Sequence, residues 1–249
     1  MTDRHLTADV DGQRLVATVL EPASGARPQV LALHGLGTTS TRHRIRYLLD
    51  PIVEHGYGAI TFDFSGNGDS TGELATTTLR RRSGETVALA RHLDDTVAPV
   101  LLGTSMGAHL AAAAVPILRP RGLVLLCPAA YPRWAADAPF DGRSLPRPGP
   151  YDDSPAFAGL AEFTGRLLVV AVQDDEVVSR ATVDRYVRAV PAARSVEVLR
   201  LPRGGHFVHR WLPDRTQERE AVVAAVLRLV TDRPGAASGA QIEEVTRAR

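Results

Sequence analysis

The stretch Gly103-Thr104-Ser105-Met106-Gly107 decides how the rest of the chain is read. It follows the short apolar run Pro99-Val100-Leu101-Leu102 and opens a segment of small residues, Ala108-His109-Leu110-Ala111-Ala112-Ala113-Ala114. Strand, sharp turn and helix is the setting in which a Gly-x-Ser-x-Gly pentapeptide carries chemistry. The serine takes a strained backbone conformation at the turn, so that its hydroxyl stands clear of the sheet. Side chains at the flanking glycine positions would collide with the adjoining strand and helix.

Outward from this turn, apolar runs and amphipathic segments alternate. The N-terminal part alternates residue by residue, which predicts a hairpin of 6–10 and 14–20 turning at Asp11-Gly12. Buried strands are expected over 30–33, 58–62, 100–102, 123–126, 167–172 and 196–201. Helices are expected over 45–55, 79–93, 108–118, 181–190 and 216–230. Continuous apolar strands separated by helices imply α/β architecture: a mostly parallel central sheet with helices on both faces. Ligands bind at the carboxyl ends of the strands in such sheets, and every candidate functional residue falls on one of those loops.

The segment from Pro128 to about Leu160 breaks the alternation. It holds seven prolines and the aromatic residues Trp134, Phe140, Tyr151 and Phe157. An insertion between two strands at this point is expected to act as a short Pro-rich lid, 128–160, over the site. Trp134, Tyr151 and Phe157 are candidate substrate-binding residues for an apolar or aromatic group. Packing of the lid on itself is the alternative. Residues 1–230 are expected to form one domain, and 231–249 a flexible tail.

Composition sets limits. The 249 residues carry a net charge of +1, with 44% hydrophobic and 23% charged residues, as expected of a soluble globular chain. All 29 basic residues are arginine, a bias of composition rather than a sign of phosphate recognition. Near-neutral charge gives no reason to expect a nucleic-acid partner. The run Arg80-Arg81-Arg82 reads as a solvated helix face. The start lacks the apolar core of a signal peptide, and no run reaches the roughly 20 residues that span a bilayer. The single cysteine, Cys127, excludes an internal disulfide and reads as a small buried hydrophobe in a cytoplasmic protein.

A serine hydroxyl is protonated at neutral pH and needs a base, which in turn needs a partner to hold its tautomer. The segment Leu201-Pro202-Arg203-Gly204-Gly205-His206-Phe207 follows the last core strand, and its glycines let the loop aim the imidazole inward. His206 is therefore the candidate base. His209 is the competitor and is expected to pack on or near the surface. The acid is expected after strand 167–172, in Gln173-Asp174-Asp175-Glu176-Val177-Val178. Asp175 is preferred because it immediately precedes the unit that resumes apolar packing, and Asp174 is the alternative. Donors for a developing oxyanion are expected from the main-chain N–H of Met106, after the nucleophile, and of Leu36 in His34-Gly35-Leu36-Gly37. His34 reads as structural.

These segments, with Phe62-Asp63-Phe64-Ser65-Gly66-Asn67-Gly68-Asp69-Ser70, resemble the α/β-hydrolase superfamily. Within it they are similar to small bacterial esterases and to serine-aminopeptidase-like, lysophospholipase-like and cinnamoyl-esterase-like members. The resemblance covers about residues 6–230, and the chain order Ser, Asp, His is that of the family. It implies an α/β-hydrolase fold and a serine hydrolase that cleaves a carboxylic ester or thioester in a small-molecule acyl substrate. No metal or organic cofactor is implied. Asp63 and Asp69 read as residues holding a turn. Two departures stand out. The family's glycine before the acid and proline after the Val-Val unit are replaced by Gln173 or Ala171 and by Ser179. The usual histidine of the Gly-His-Gly turn is Asn67. The same triad also serves acyltransferases, cyclising thioesterases and lyases, and a silent binding protein is the remaining alternative.

Overall fold

The hairpin is built by its turn. In the computed structural model, which describes residues 1–231, β1 (Thr2–Val10) and β2 (Gln13–Glu21) pair antiparallel, with Val10 opposite Gln13. The two residues between them, Asp11 and Gly12, both have positive φ (46° and 77°), the geometry that matches the twist of the flanking strands. Strand β1 starts four residues before the apolar alternation. Its polar beginning forms the exposed edge of the sheet, where burial places no demand on side-chain type.

The buried strands follow: β3 (Pro28–Leu33), β4 (Gly58–Asp63), β5 (Val100–Thr104), β6 (Gly122–Leu126), β7 (Arg166–Val172) and β8 (Ser195–Leu201). Among the described residues these form one sheet in the order β1-β2-β4-β3-β5-β6-β7-β8. Every pairing from β4 to β8 is parallel. Because side chains alternate across a strand, each buried strand feeds two cores. Leu31, Leu33, Leu101, Leu123 and Leu125 join one, while Val30, Ala32, Leu102, Val124 and Leu126 join the other.

Helices cover both faces. On one, α1 (Arg46–Glu54) and α8 (Thr216–Thr231) bury Leu48, Leu49, Ile52, Val222 and Val226. On the other lie α2 (Leu79–Ala90), α3 (Met106–Ala113), α4 (Val115–Leu118), α5 (Pro155–Leu160) and α6 (Arg180–Arg188). The Thr78 hydroxyl caps α2 by accepting the Arg81 amide, and Ser179 does the same for α6 through Thr182. The helix expected over 108–118 is broken between α3 and α4. Pro116 offers no amide, and its ring cannot follow a helical carbonyl four residues back.

Two expectations are corrected by the packing. Arg82 is not on a solvated face: it is 0% exposed, between Phe64 and Phe140, with its guanidinium carbon 5.0 and 4.9 Å from the two ring centres. Its donors reach Thr77 Oγ1 (3.2 Å), Asn67 Oδ1 (2.7 Å) and the Ser65 carbonyl (3.3 Å). Phe157 is not free to meet a substrate. It lies in the core, edge-on to Tyr186 at 5.0 Å, and Arg185 covers its ring.

The rest of 128–160 is anchored through its backbone. The Phe140 amide donates to the Thr77 carbonyl, the Gly149 amide to Ala130 and the Ala129 amide to Ser105. Tyr151 is tied within the segment, its hydroxyl donating to the Arg147 carbonyl at 3.0 Å. Trp134 remains 64% exposed. No helix among the described residues is long and apolar enough to cross a membrane. The tail expected over 231–249 lies, after Thr231, outside the described residues.

Candidate active site

Ser105 stands between β5 and α3 with φ 52° and ψ −113°, a conformation that L-residues adopt only under constraint. The flanking glycines supply the constraint. A Cβ on Gly107 would collide with the Leu33 carbonyl oxygen, and one on Gly103 with the Gly107 carbonyl. Gly35 is less tightly packed: its Cβ would come 3.3 Å from Ser105 Cβ and from the Thr104 carbonyl oxygen, a close contact rather than a collision. The Ser105 amide is used by the sheet, donating to Leu126 at 2.9 Å. The turn is thus pinned from both sides while the hydroxyl stays outside.

The loops after β7 and β8 bring two further groups to that hydroxyl. His206 Nε2 lies 2.8 Å from Ser105 Oγ, and His206 Nδ1 lies 2.9 Å from Asp175 Oδ2. A neutral imidazole satisfies both contacts when Nδ1–H donates to the carboxylate and Nε2 accepts from the hydroxyl. The other oxygen of Asp175 accepts the amides of Val177 and Val178, each at 2.8 Å. Burial works against charge on Asp175. The His206 hydrogen bond, the two amides and the imidazole nevertheless outweigh it and hold the carboxyl below the usual range.

Asp174, the alternative acid, faces elsewhere. Its carboxylate accepts the amides of Gly204 (3.0 and 3.2 Å) and Gly205 (2.9 Å), the two residues before His206. These backbone bonds lower its pKa. Adjacent carboxylates therefore divide the support of one histidine: Asp175 bonds its ring and Asp174 bonds its loop.

His209 is half-buried at the cavity wall, near the surface as expected, and acts there as a strut. Its Nε2 is 2.7 Å from Thr104 Oγ1 and its Nδ1 is 3.0 Å from the Tyr47 hydroxyl, beneath the serine turn. Neither Thr104 nor Tyr47 was singled out by the sequence. His34 is buried, with its ring within 2.8 Å of the Gly35 carbonyl through Nδ1, while Nε2 accepts the Phe64 amide at 3.0 Å. Burial first, then the Arg82 charge, lowers its pKa to about 3, so it stays neutral and fixes the loop that carries Leu36.

The amides of Leu36 and Met106 have no hydrogen-bond partner among the described residues. Met106 begins α3, where the first amides of a helix have no partner of their own. Behind Met106, the Arg82 guanidinium touches its sulfur at 3.5 Å. The turn after β4 is held by Asp63, which accepts the Arg42 amide at 2.7 Å and pairs with the Arg42 side chain. Arg42 also pairs with Asp69 at 2.7 Å. Asn67 donates to the carbonyls of Gly37 and Ser40, at 2.8 and 3.1 Å, and so ties that turn to the Leu36 loop.

A cavity of about 270 Å³ opens beside Ser105 and His206. It is walled by the loop from His34 to Thr41, by Arg44, and by α7 (Val208–Trp211) with Phe207. None of Trp134, Tyr151 and Phe157 lines it. Behind the acid, Cys127 is buried with φ 44°. Its sulfur, an Asp175 oxygen and a His206 nitrogen lie within 4.8 Å of one another, the one group of donors among the described residues that could close on a metal ion. Burial, followed by the Asp175 charge, raises the thiol pKa and keeps it a neutral S–H.

Sheet order, serine turn and histidine loop together define a class, and sequence comparison agrees. The chain belongs to the alpha/beta hydrolase family, whose profile matches residues 30–164. It is by that membership a hydrolase. No match is found among curated proteins. Several solved structures share the fold. A Xanthomonas campestris α/β serine hydrolase described as lacking a lid is 23% identical, with TM-score 0.64 over 93% of this chain and 97% of that one. Est1E from Butyrivibrio proteoclasticus with bound ferulic acid is 19% identical, with TM-score 0.66 over 91% and 100%. The thioesterase domain from the curacin biosynthetic pathway is 15% identical, with TM-score 0.65 over 91% and 100%.

Proposed function

We propose that the chain is a serine hydrolase that cleaves a carboxylic ester or thioester through Ser105, His206 and Asp175. The observation that carries this reading is the continuous contact from Ser105 Oγ through the imidazole to Asp175, at 2.8 and 2.9 Å. His206 Nε2 takes the hydroxyl proton as Oγ bonds to the substrate carbonyl carbon. The carbonyl oxygen then gains negative charge, which the amides of Leu36 and Met106 receive. Asp175 stabilises the imidazolium and keeps Nδ1 protonated. As the tetrahedral intermediate collapses, the imidazolium gives its proton to the departing alcohol or thiol, leaving an acyl-enzyme. Water, deprotonated by the same nitrogen, attacks next, and Ser105 leaves with the returned proton.

Two further points belong to this reading. The cavity is not lined by the 128–160 insertion, which supports water rather than a second alcohol or amine as the acceptor. The single thiol supports a reducing, cytoplasmic setting, and residues 1–230 act as one catalytic domain on a small acyl substrate.

A fluorophosphonate probe tests the reading directly, because it labels only an activated nucleophile. Labelling at Ser105, lost in Ser105→Ala together with about 10⁶-fold of p-nitrophenyl ester turnover, is the expected result. An unlabelled wild-type protein, or undiminished turnover in the variant, would overturn it.

A further inference from the structure

Three arginines alternate along the segment after the Leu36 loop, and among the described residues only one of them lacks a carboxylate partner. Arg42 is buried against Asp63 and Asp69, and Arg46 pairs with Asp3 (2.6 Å) and Asp50 (2.8 Å). Arg44, between them, has no carboxylate partner among the described residues. It is exposed and lines the cavity beside Ser105.

A second cation comes from the other wall. Arg210 also lines the cavity. Its guanidinium is held by Thr39 Oγ1 at 3.1 Å and stacks over Phe207 at 4.6 Å, with no carboxylate partner among the described residues. The same walls carry Thr38, Thr39, Ser40 and Thr41, and among the described residues no aspartate or glutamate lines the cavity.

A concave site with one sign of charge on low-dielectric walls concentrates ligands of the opposite sign. A guanidinium presents a fixed fork of donors that fits carboxylate and phosphate oxygens, and hydroxyls can complete the coordination. We infer that Arg44 and Arg210 form an anion subsite, and that the substrate is an ester or thioester bearing a carboxylate or phosphate near its scissile carbonyl. This rests on the serine-hydrolase reading and adds the substrate class to it.

The test compares three substrates at low salt. One is p-nitrophenyl butyrate, which is neutral. The second is the p-nitrophenyl half-ester of glutaric acid, with its carboxylate on the acyl side. The third is an S-butyryl thioester whose thiol carries a phosphate monoester, paired with its dephosphorylated form. At least one charged substrate should exceed its neutral counterpart about tenfold or more in kcat/KM. Which one does so assigns the anion to carboxylate or phosphate.

That ratio should shrink as ionic strength rises. It should collapse in the Arg44→Ala/Arg210→Ala double variant and recover in part with Arg44→Lys, the thermal transition reporting that each variant is folded. A ratio near one in the wild type, or a ratio that survives in the folded double variant, would overturn the subsite. If Ser105 is labelled and the neutral ester is cleaved without charge preference, only this inference falls. If neither labelling nor cleavage occurs, both readings fall.

Discussion

Asp174 accepts the Gly205 amide at 2.9 Å, so the carboxylate next to Asp175, the proposed acid, holds the backbone that presents His206. The two carboxylates should therefore differ in effect. Asp175→Asn removes the partner of the ring and should cost roughly 10⁴ in kcat, as in other triads. Asp174→Asn keeps the ring partner and loosens the loop. Its loss should be far smaller, about tenfold to a hundredfold, because a misplaced catalytic group loses rate without losing its chemistry. Measured kcat for the two variants, with fluorophosphonate labelling rates, checks the order; equal losses would sink it.

Acidification should destabilise the protein through its buried histidines. His34 and His109 are almost fully buried, and desolvation lowers their pKa to about 3 and about 4. The unfolded imidazole titrates near 6.5, so between those values the unfolded chain binds more protons than the native one. The stability is whole above about pH 6.5 and falls as pH drops toward the native pKa. At pH 5 the loss is about 2 kcal/mol per histidine. Urea midpoints at pH 7 and pH 5 report it, and His109→Asn should reduce the difference by about 2 kcal/mol while the His34 share remains.

Arg82→Met should cost stability rather than leave it untouched. The side chain is enclosed between two phenylalanine rings and supports Asn67, the Ser65 carbonyl and Met106. Its removal also leaves Glu85 buried without that nearby charge. Breaking such a buried arrangement from one side costs about 3–5 kcal/mol. A denaturant midpoint within error of wild type would contradict the packing account.

Gly107→Ala should damage the serine turn itself. The added Cβ meets backbone on β3, which cannot swing aside as a side chain could. A soluble variant should lose fluorophosphonate labelling at Ser105 and melt several degrees lower, at about 1–3 kcal/mol of overpacking. Unchanged labelling would show that the turn tolerates the extra atom.

What could be read from sequence followed from period and punctuation. The apolar runs located the strands, and the Asp11-Gly12 pair located the first turn, because both signals are local. Arg82 departs from its expected solvated face because charge alone does not imply exposure. Yet Leu79, Arg82, Thr86 and Leu89 fall at helical spacing on one face, and all four are buried. That pattern was the available signal. The prolines of 128–160 mark an insertion but not its packing. Phe140 and Phe157 are instead spent on the core, a long-range choice that no local pattern fixes. The choice between Asp174 and Asp175 needed the loop after β8, thirty residues away, to show which carboxylate met ring and which met backbone.

Ser105, Asp175 and His206 hang from β5, β7 and β8, so the proposed reactive ensemble is completed only by the last of the described strands. A growing polypeptide stopped short of that strand would display its hydroxyl on a finished elbow with no imidazole to waken it. If the proposed trio is right, covalent tagging of the serine would serve as a clock for the closing stage of folding.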